Sequence, residues 1–343
     1  MNKNLLFGKA IGAALLFVMM SLANRGFAQT QVATLQHGED FSAFYGVNAF
    51  IEAHGAAVDG DIITLSSGTF SATDITKAIT IHGAGVKADT LTYCTPTYVN
   101  GDFNISIAND EMSLDVEGVF FNNSITPMGS NLHHGSFTRC NIESFGAEEM
   151  ANMYDVQFVN CRIHILYVKT PADNIYGNIQ LINSAVGNLI TRLEPSKYVY
   201  GYNSIVGFGN SSYCIFHNCI LLMGDYAHYA YNTSAYNCII FNSLSFPTPS
   251  VAQNCLSLYN DINQIFVNYY GNGYNFFDYD YTLAENIINT FPGSDGSQVG
   301  IFGGAMPYNP RPSYIVPHNI TVSGQSNVDG TLNIEIEVIN EEK

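Results

Sequence analysis

The sequence predicts an all-β chain: a single-stranded, right-handed parallel β-helix (a solenoid) with an N-terminal capping helix and a C-terminal β-hairpin cap. Three observations predict it. A short motif recurs at roughly the length of one β-helix coil. Charged residues make up only 12% of the 343 residues, against an abundance of Asn, Gly, Ser and Tyr. One brief helical pattern near the N-terminus gives way to alternating apolar runs punctuated by glycines. A helical globule would need Glu- and Lys-rich solvated faces, which this composition does not supply.

The chain opens on a targeting pattern. Lys3 and Lys9 precede an apolar run over residues 10–22, and Gly26-Phe27-Ala28 offers the small residues that a signal peptidase needs. The run is shorter than the roughly 20 apolar residues that span a bilayer, and no Cys follows to take a lipid. Residues 1–28 are therefore expected to be a signal peptide. The mature chain would begin near Gln29, stay out of the membrane, and be exported to the periplasm, the cell surface or the medium.

Charge narrows the partners. The whole chain carries −17, and removing Lys3, Lys9 and Arg25 leaves 9 basic against 29 acidic residues, or −20. Nucleic-acid binding needs a basic footprint that nine scattered cations do not make. An acidic glycan would need a bridging cation such as Ca²⁺ or a local basic patch.

The first structural element is a short helix. Val47, Phe50, Ile51 and His54 fall at helical spacing, and Asp59-Gly60-Asp61 then turns into Ile62-Ile63-Thr64-Leu65. Such a helix covers the open apolar end of a first coil, which would otherwise expose core and an unpaired strand edge. Gly68-Thr69-Phe70 and Ile79-Thr80-Ile81-His82-Gly83-Ala84-Gly85 follow as strands broken by glycine turns.

The repeat proper is a polar residue, then Cys or Ser, then an apolar residue within two positions. Its Cys/Ser positions are 124, 140, 161, 184, 204, 219, 238 and 255, separated by 16, 21, 23, 20, 15, 19 and 17 residues. A period near 20 with variable length suits one coil of short strands whose loops absorb insertions. Asn precedes the Cys/Ser in all but one case: Asn123, Asn160, Asn183, Asn203, Asn218, Asn237 and Asn254, with Arg139 the exception. Stacked coils place like side chains about 4.8 Å apart, and Asn can donate up such a ladder, accept from below and tolerate a left-handed bend.

Five of the seven cysteines, Cys140, Cys161, Cys219, Cys238 and Cys255, occupy the ladder position that Ser fills elsewhere. Stacked parallel Cβ vectors suit a disulfide dihedral poorly and seven is an odd number, so buried free thiols are expected. Neither CxxC nor HxxxH spacing occurs, and no metal site is expected. Cys94 and Cys214 lie off the ladder and have no assigned role.

These residues resemble the right-handed β-helix proteins of the pectin-lyase-like fold. Asn48-Ala49-Phe50-Ile51-Glu52-Ala53, Gly60-Asp61-Ile62-Ile63-Thr64-Leu65, Gly68-Thr69-Phe70 and Ile79 through Gly85 look like that family's first coils, and the Asn-Cys-Ile triplets like its later ones. Gly296-Ser297-Gln298-Val299-Gly300-Ile301-Phe302-Gly303-Gly304 and the proline-rich stretch after it are similar to the last coil and exit of secreted β-helix proteins of the Bacteroidetes type. On this reading residues 29–305 form the capped β-helix and residues 306–343 the exit and hairpin, Ile320-Thr321-Val322 pairing with Leu332 through Val338 across Asp329-Gly330.

The resemblance implies fold more than chemistry. A lyase of this class needs an Arg or Lys base with carboxylates gathering Ca²⁺, yet Lys169, Arg192 and Lys197 are the only middle-coil cations outside the motif. The hydrolase pattern of the polygalacturonase family has loose echoes in Asp110-Glu111, His133-His134-Gly135 and Arg162-Ile163-His164. Each departs from the motif, so Asp110, Glu111, His134 and Arg162 are weak catalytic candidates, expected not to converge. Two carboxylates could do acid/base work on a glycosidic bond only at a defined separation. No GxxxxGK[ST] occurs and Gly300-Ile301-Phe302-Gly303-Gly304 opens no helix, so nucleotide, flavin and nicotinamide cofactors are not expected.

Aromatics supply the other candidate. Tyr198, Tyr200 and Tyr202 share one face of an extended segment, and Asp225-Tyr226-Ala227-His228-Tyr229 lies nearby with Tyr231 and Tyr236. They read either as a glycan-binding strip or as aromatic cover on the solenoid flank. The sequence favours a non-catalytic exported protein that binds carbohydrate or serves as a surface or structural element. The alternative is a polysaccharide lyase or glycoside hydrolase.

Overall fold

The computed structural model describes residues 31–88, 95–108, 111–128, 132–146, 153–169, 178–192, 198–209, 211–223, 232–242, 250–270, 275–311, 317–322 and 334–338. The expected signal peptide, Cys94, Asp110, Lys197, the Asp225 to Tyr229 cluster and Tyr231 lie outside the described residues.

The chain is a parallel β-solenoid. It begins with a hairpin, Val32–His37 antiparallel to Asp40–Tyr45, whose first strand also pairs antiparallel with Ile62–Leu65. The hairpin thus closes the edge of the first coil. The helix Ala49–Ala56 buries Ala49, Phe50, Ala53 and His54 over that end, with the Phe50 ring near-parallel to Phe103 in the core. Among the described residues no helix is long and apolar enough to cross a membrane.

Two long sheets follow. Sheet A has twelve strands ending in Tyr198–Tyr202, Cys214–His217, Ser234–Tyr236 and Val251–Gln253, and sheet B has eleven strands running from Gly68–Ser71 to Leu256–Leu258. Register stacks like on like. In sheet A, Ile81, Val116, Phe137, Phe158, Leu181, Gly201, Phe216 and Ala235 form one inward column. Small residues flank Phe216 in this column, and a Cβ on Gly201 would collide with the Phe216 ring. Sheet B supplies the facing column of Phe121, Ile142, Ile163, Val186, Val206, Leu221 and Ile240.

The corner between the sheets explains the repeat. Arg139, Asn160, Asn183, Asn203, Asn218, Asn237 and Asn254 all have φ between 46° and 54° or at 55°, the left-handed region that Asn enters most readily among residues with a Cβ. Their backbone N–H groups still reach the next coil, as Asn160 N does to Ile182 O at 3.0 Å, and the residue after Cys/Ser reaches back, as Ala185 N does to Cys161 O at 2.8 Å. Only the Cys/Ser N–H between them meets no carbonyl. It donates to the Cys or Ser side chain of the following coil: Cys140 N to Cys161 Sγ 3.4 Å, Cys161 N to Ser184 Oγ 3.0 Å, Ser184 N to Ser204 Oγ 3.2 Å, Ser204 N to Cys219 Sγ 3.3 Å and Cys219 N to Cys238 Sγ 3.4 Å. Each side chain in turn donates to the carbonyl two residues before it, as in Ser184 Oγ to Ile182 O at 2.9 Å and Cys161 Sγ to Val159 O at 3.4 Å. Cys and Ser interchange because each both donates and accepts.

Asn123-Ser124-Ile125 has the letters of the motif but another place. The left-handed corner of that coil is Gly118, φ 70°, and Asn123 lies exposed inside the strand Val119–Pro127, accepting from Gly101 N at 3.0 Å. Phe121 faces Ile142 while Ser124 faces Ser144, so two residues, Asn122 and Asn123, bulge opposite the single Glu143.

All six cysteines among the described residues are free thiols. Burial pushes the Cys214 thiol up to about 12 and those of Cys161 and Cys238 well above the ordinary range.

The C-terminal portion departs from the expected last coil. The parallel strands end at Val251–Gln253 and Leu256–Leu258, and residues 261–270 and 275–308 fold back as a strap over the outward face of sheet B. There Ile265, Phe266, Phe276, Tyr281, Leu283, Ile287, Val299 and Ile301 bury Ala185, Ile205, Ile220 and Ile239 in a second core. The corner asparagines hold the strap: Asn183 Nδ2 donates to Ile301 O at 2.9 Å and Gly303 O at 2.7 Å, Asn237 Nδ2 to Pro292 O at 3.1 Å, and Asn218 Oδ1 accepts from Ser294 N at 2.9 Å. Beside this use, the expected side-chain ladder contact is made by Asn237 Nδ2 to Asn218 Oδ1 at 3.0 Å. Further on, Pro317–Val322 pairs antiparallel with Ile334–Val338.

Two expectations follow from these packing relations. Ser184→Ala strands the buried Cys161 N–H and should lower unfolding free energy by about 1–3 kcal/mol, whereas Ser184→Cys, which keeps donor and acceptor, should cost markedly less; urea titration of both variants checks this. His54 is held down to about 4, first by burial and then by Lys77, below its ordinary 6.5. The unfolded chain therefore takes up a proton that the folded chain refuses, so stability holds above pH 6.5 and falls as pH drops toward 4. A pH series of denaturation midpoints on wild type and His54→Gln should show a shallower decline in the variant.

Candidate functional site

Of the weak catalytic candidates, Glu111 and His134 lead into neighbouring strands of sheet A, while Arg162 opens a strand of sheet B. Glu111 is exposed ahead of the strand Leu114–Glu117. His134 sits at φ 52° ahead of Gly135–Thr138, its Nδ1 3.8 Å from Asp155 Oδ2, with both side chains more than half exposed. Arg162 opens a strand of sheet B and is committed to the strap. Its Nη1 donates to Phe277 O at 2.6 Å and Tyr279 O at 3.0 Å, its Nε to Tyr308 Oη at 3.1 Å, and its guanidinium lies 5.1 and 5.2 Å from the Tyr281 and Tyr308 ring centres. Lys169 and Arg192 occupy facing positions in adjacent strands. Among the described residues no three His, Cys, Asp or Glu side chains gather as a metal site.

The tyrosines come together. Val199 and Gly201 point into the core, so Tyr198, Tyr200 and Tyr202 share the outward face of sheet A. Tyr202 stacks on His217 of the next coil at 5.6 Å and 10°, and His217 on Tyr236 at 4.9 Å and 15°. Tyr198 lies 6.0 Å from both Tyr200 and Tyr213. Enclosure between two phenol rings desolvates His217 and lowers its pKa. The sequence reading missed His217 and Tyr213. A signal existed for the first: Tyr202, His217 and Tyr236 each immediately precede a corner Asn, so aligning the coils on that Asn stacks them.

Sheet B carries a cleft where the strap leaves its face uncovered. Facing register puts Glu143 beside His164, and Glu143 Oε1 lies 2.7 Å from His164 Nδ1, both side chains less than half exposed relative to their full area, at 43% and 44%. The next coil has Gly187 at that level, where the pairing of Ala185–Arg192 with Ile205–Phe208 slips between Val186 and Leu189. A Cβ on Gly187 would lie 2.8 Å from His164 O and 3.1 Å from the Phe276 ring. Phe276 stacks on His164 at 5.6 Å and 23°. Glu143, His164, Gly187, Asn188, Tyr269, Tyr270 and Phe276 are among the residues that line a cleft of about 390 Å³, and Gly187, Asn188, Tyr269 and Tyr270 continue into a neighbouring hollow of about 670 Å³ over Gly207 and Leu222. Glu143 and Asn188 fit no motif in the sequence; they meet through the sheet register.

No family model, curated protein or solved structure matches the chain. Its class rests on its own architecture: it is a parallel β-helix protein with a strap across one sheet and an aromatic patch on the other.

Removing the Arg162 guanidinium leaves two carbonyls and two tyrosine faces without their cation. Arg162→Met should destabilise the protein by roughly 2–4 kcal/mol and raise hydrogen exchange across residues 276–308 before the sheet A strands respond.

Proposed function

We propose that this protein is an exported, non-catalytic β-helix that binds carbohydrate on the outward face of sheet A. The observation that carries the reading is the patch of Tyr198, Tyr200, Tyr202, Tyr213, His217 and Tyr236 on one face. Tyr202, at 38% exposure, is among the large apolar side chains left open to solvent. Such rings offer apolar area for pyranose faces and hydroxyl or imidazole edges for sugar hydroxyls at low conformational cost. The stack repeats once per coil, at a strand spacing of about 4.8 Å, which is close to one residue of an extended glycan. Export is supported by the Lys3 to Ala28 pattern. A non-catalytic role is supported by the commitment of Arg162 to the strap carbonyls.

Affinity electrophoresis of the mature chain in gels containing neutral and acidic polysaccharides, with and without Ca²⁺, tests this. Retardation by at least one glycan is expected, weakened about tenfold by Tyr202→Ala combined with Tyr236→Ala. New reducing ends or unsaturated products in the same panel would establish a hydrolase or lyase instead.

A further inference from the structure

We propose that the cleft between sheet B and the strap is a separate saccharide subsite that takes a neutral pyranose, with Glu143 and Asn188 on its hydroxyls and Tyr269 and Tyr270 against its apolar face. The proposal rests on carbohydrate as the ligand class but not on the sheet A patch.

Space comes first. The floor of the cleft is Gly187 and Gly207, where neighbouring backbones approach too closely for a Cβ. Leaving out those side chains opens a hollow in an otherwise covered face. The slip at Gly187 is a bulge-like irregularity of the kind that re-aims side chains beside binding sites, and Asn188 within it lines both lobes. Volumes of about 390 and 670 Å³ exceed a single ring and leave room for the next sugar.

Chemistry decides the ligand. His164 fixes one oxygen of the Glu143 carboxylate at 2.7 Å, leaving the other to accept from a ligand hydroxyl. A half-exposed Glu–His pair contributes on the order of 0–1 kcal/mol to folding, so stability alone does not call for it here. A purely apolar ligand would desolvate Glu143 and Asn188 without replacing their hydrogen bonds. An acidic sugar would face the Glu143 carboxylate, and Arg162, two residues from His164 on the same strand face, is spent on Phe277 O and Tyr279 O. A neutral polyol ring satisfies every wall.

The walls are also fixed in advance. Tyr269 packs against Tyr270 at 5.0 Å and Tyr279 at 4.8 Å, and Phe277 against Phe120 at 4.7 Å. Burial keeps the Tyr269 phenol protonated well past neutrality, so it stays a donor. Preformed walls reduce the ordering cost of binding.

The chain has no Trp, so Tyr270→Trp installs a single fluorescent reporter at the mouth. This variant would be titrated with neutral gluco-, manno-, xylo- and galacto-oligosaccharides and with oligogalacturonate, alongside calorimetry of the unaltered chain with the same sugars. A saturable response to at least one neutral oligosaccharide is expected. Adding Glu143→Ala or Asn188→Ala should weaken it at least tenfold, while Tyr202→Ala with Tyr236→Ala should leave it unchanged. Silence of both reporter and calorimeter, indifference to Glu143→Ala in a chain with native circular dichroism, or binding of oligogalacturonate alone would overturn the proposal. Normal cleft titration together with gel retardation that Tyr202→Ala with Tyr236→Ala does not weaken would sink the sheet A reading and leave this one standing.

Discussion

The solenoid depends on how one buried N–H is satisfied at the corner between its sheets. A parallel ladder runs through that corner except at the residue after the left-handed Asn, where no carbonyl of the next coil is in reach. The Cys or Ser side chain one coil on accepts a hydrogen bond from that N–H and donates its own to a carbonyl two residues back. An apolar residue there would leave an orphan donor in the core, repeated coil after coil, at about 1–3 kcal/mol each. The choice of Cys or Ser is thus set by hydrogen bonding as much as by size, and the high thiol pKa values follow from the same enclosure.

With the corner fixed, coil length is free elsewhere, since additional residues enter loops without disturbing the stack. Sheet A keeps one wet face, and its outward positions stack into rows such as Tyr202, His217 and Tyr236. Sheet B loses its wet face where the strap lies over Ala185, Ile205, Ile220 and Ile239. That is why Ile205, Val206, Ile220 and Leu221 are all buried, a pattern proper to strands covered on both sides. The strap is bound through polar as well as apolar contacts: the corner asparagines and Arg162, which opens its strand two residues after the corner Asn160. Where it departs from the sheet, the cleft remains.

Charge distribution separates structural from binding roles. Among the described residues Arg139 is engaged with Glu117 at 2.9 Å and Arg162 with the strap carbonyls. In a chain of net −17, the rings, amides and carboxylates of the two proposed sites suit uncharged, hydroxyl-rich ligands.

The sequence by itself determined the coil, the capping helix, the inward Cys/Ser position and the shared face of Tyr198, Tyr200 and Tyr202. These follow from local periodicity: two residues per strand repeat and about 20 per coil. It misplaced Asn123, because a bulge and a corner can carry the same three letters and differ only in the register of the neighbouring strand. It also read Gly300-Ile301-Phe302-Gly303-Gly304 as a last coil, since glycines that permit a turn and glycines that permit docking against Asn203 look alike in one dimension. Only tertiary structure decided that Arg162 serves the strap, that Glu143 meets His164, and that Gly187 leaves a cleft between them and the Tyr269–Tyr270 pair. Those residues lie 20 to more than 100 positions apart in the chain, and what brings them together is strand register and a folded-back segment, neither of which leaves a periodic trace.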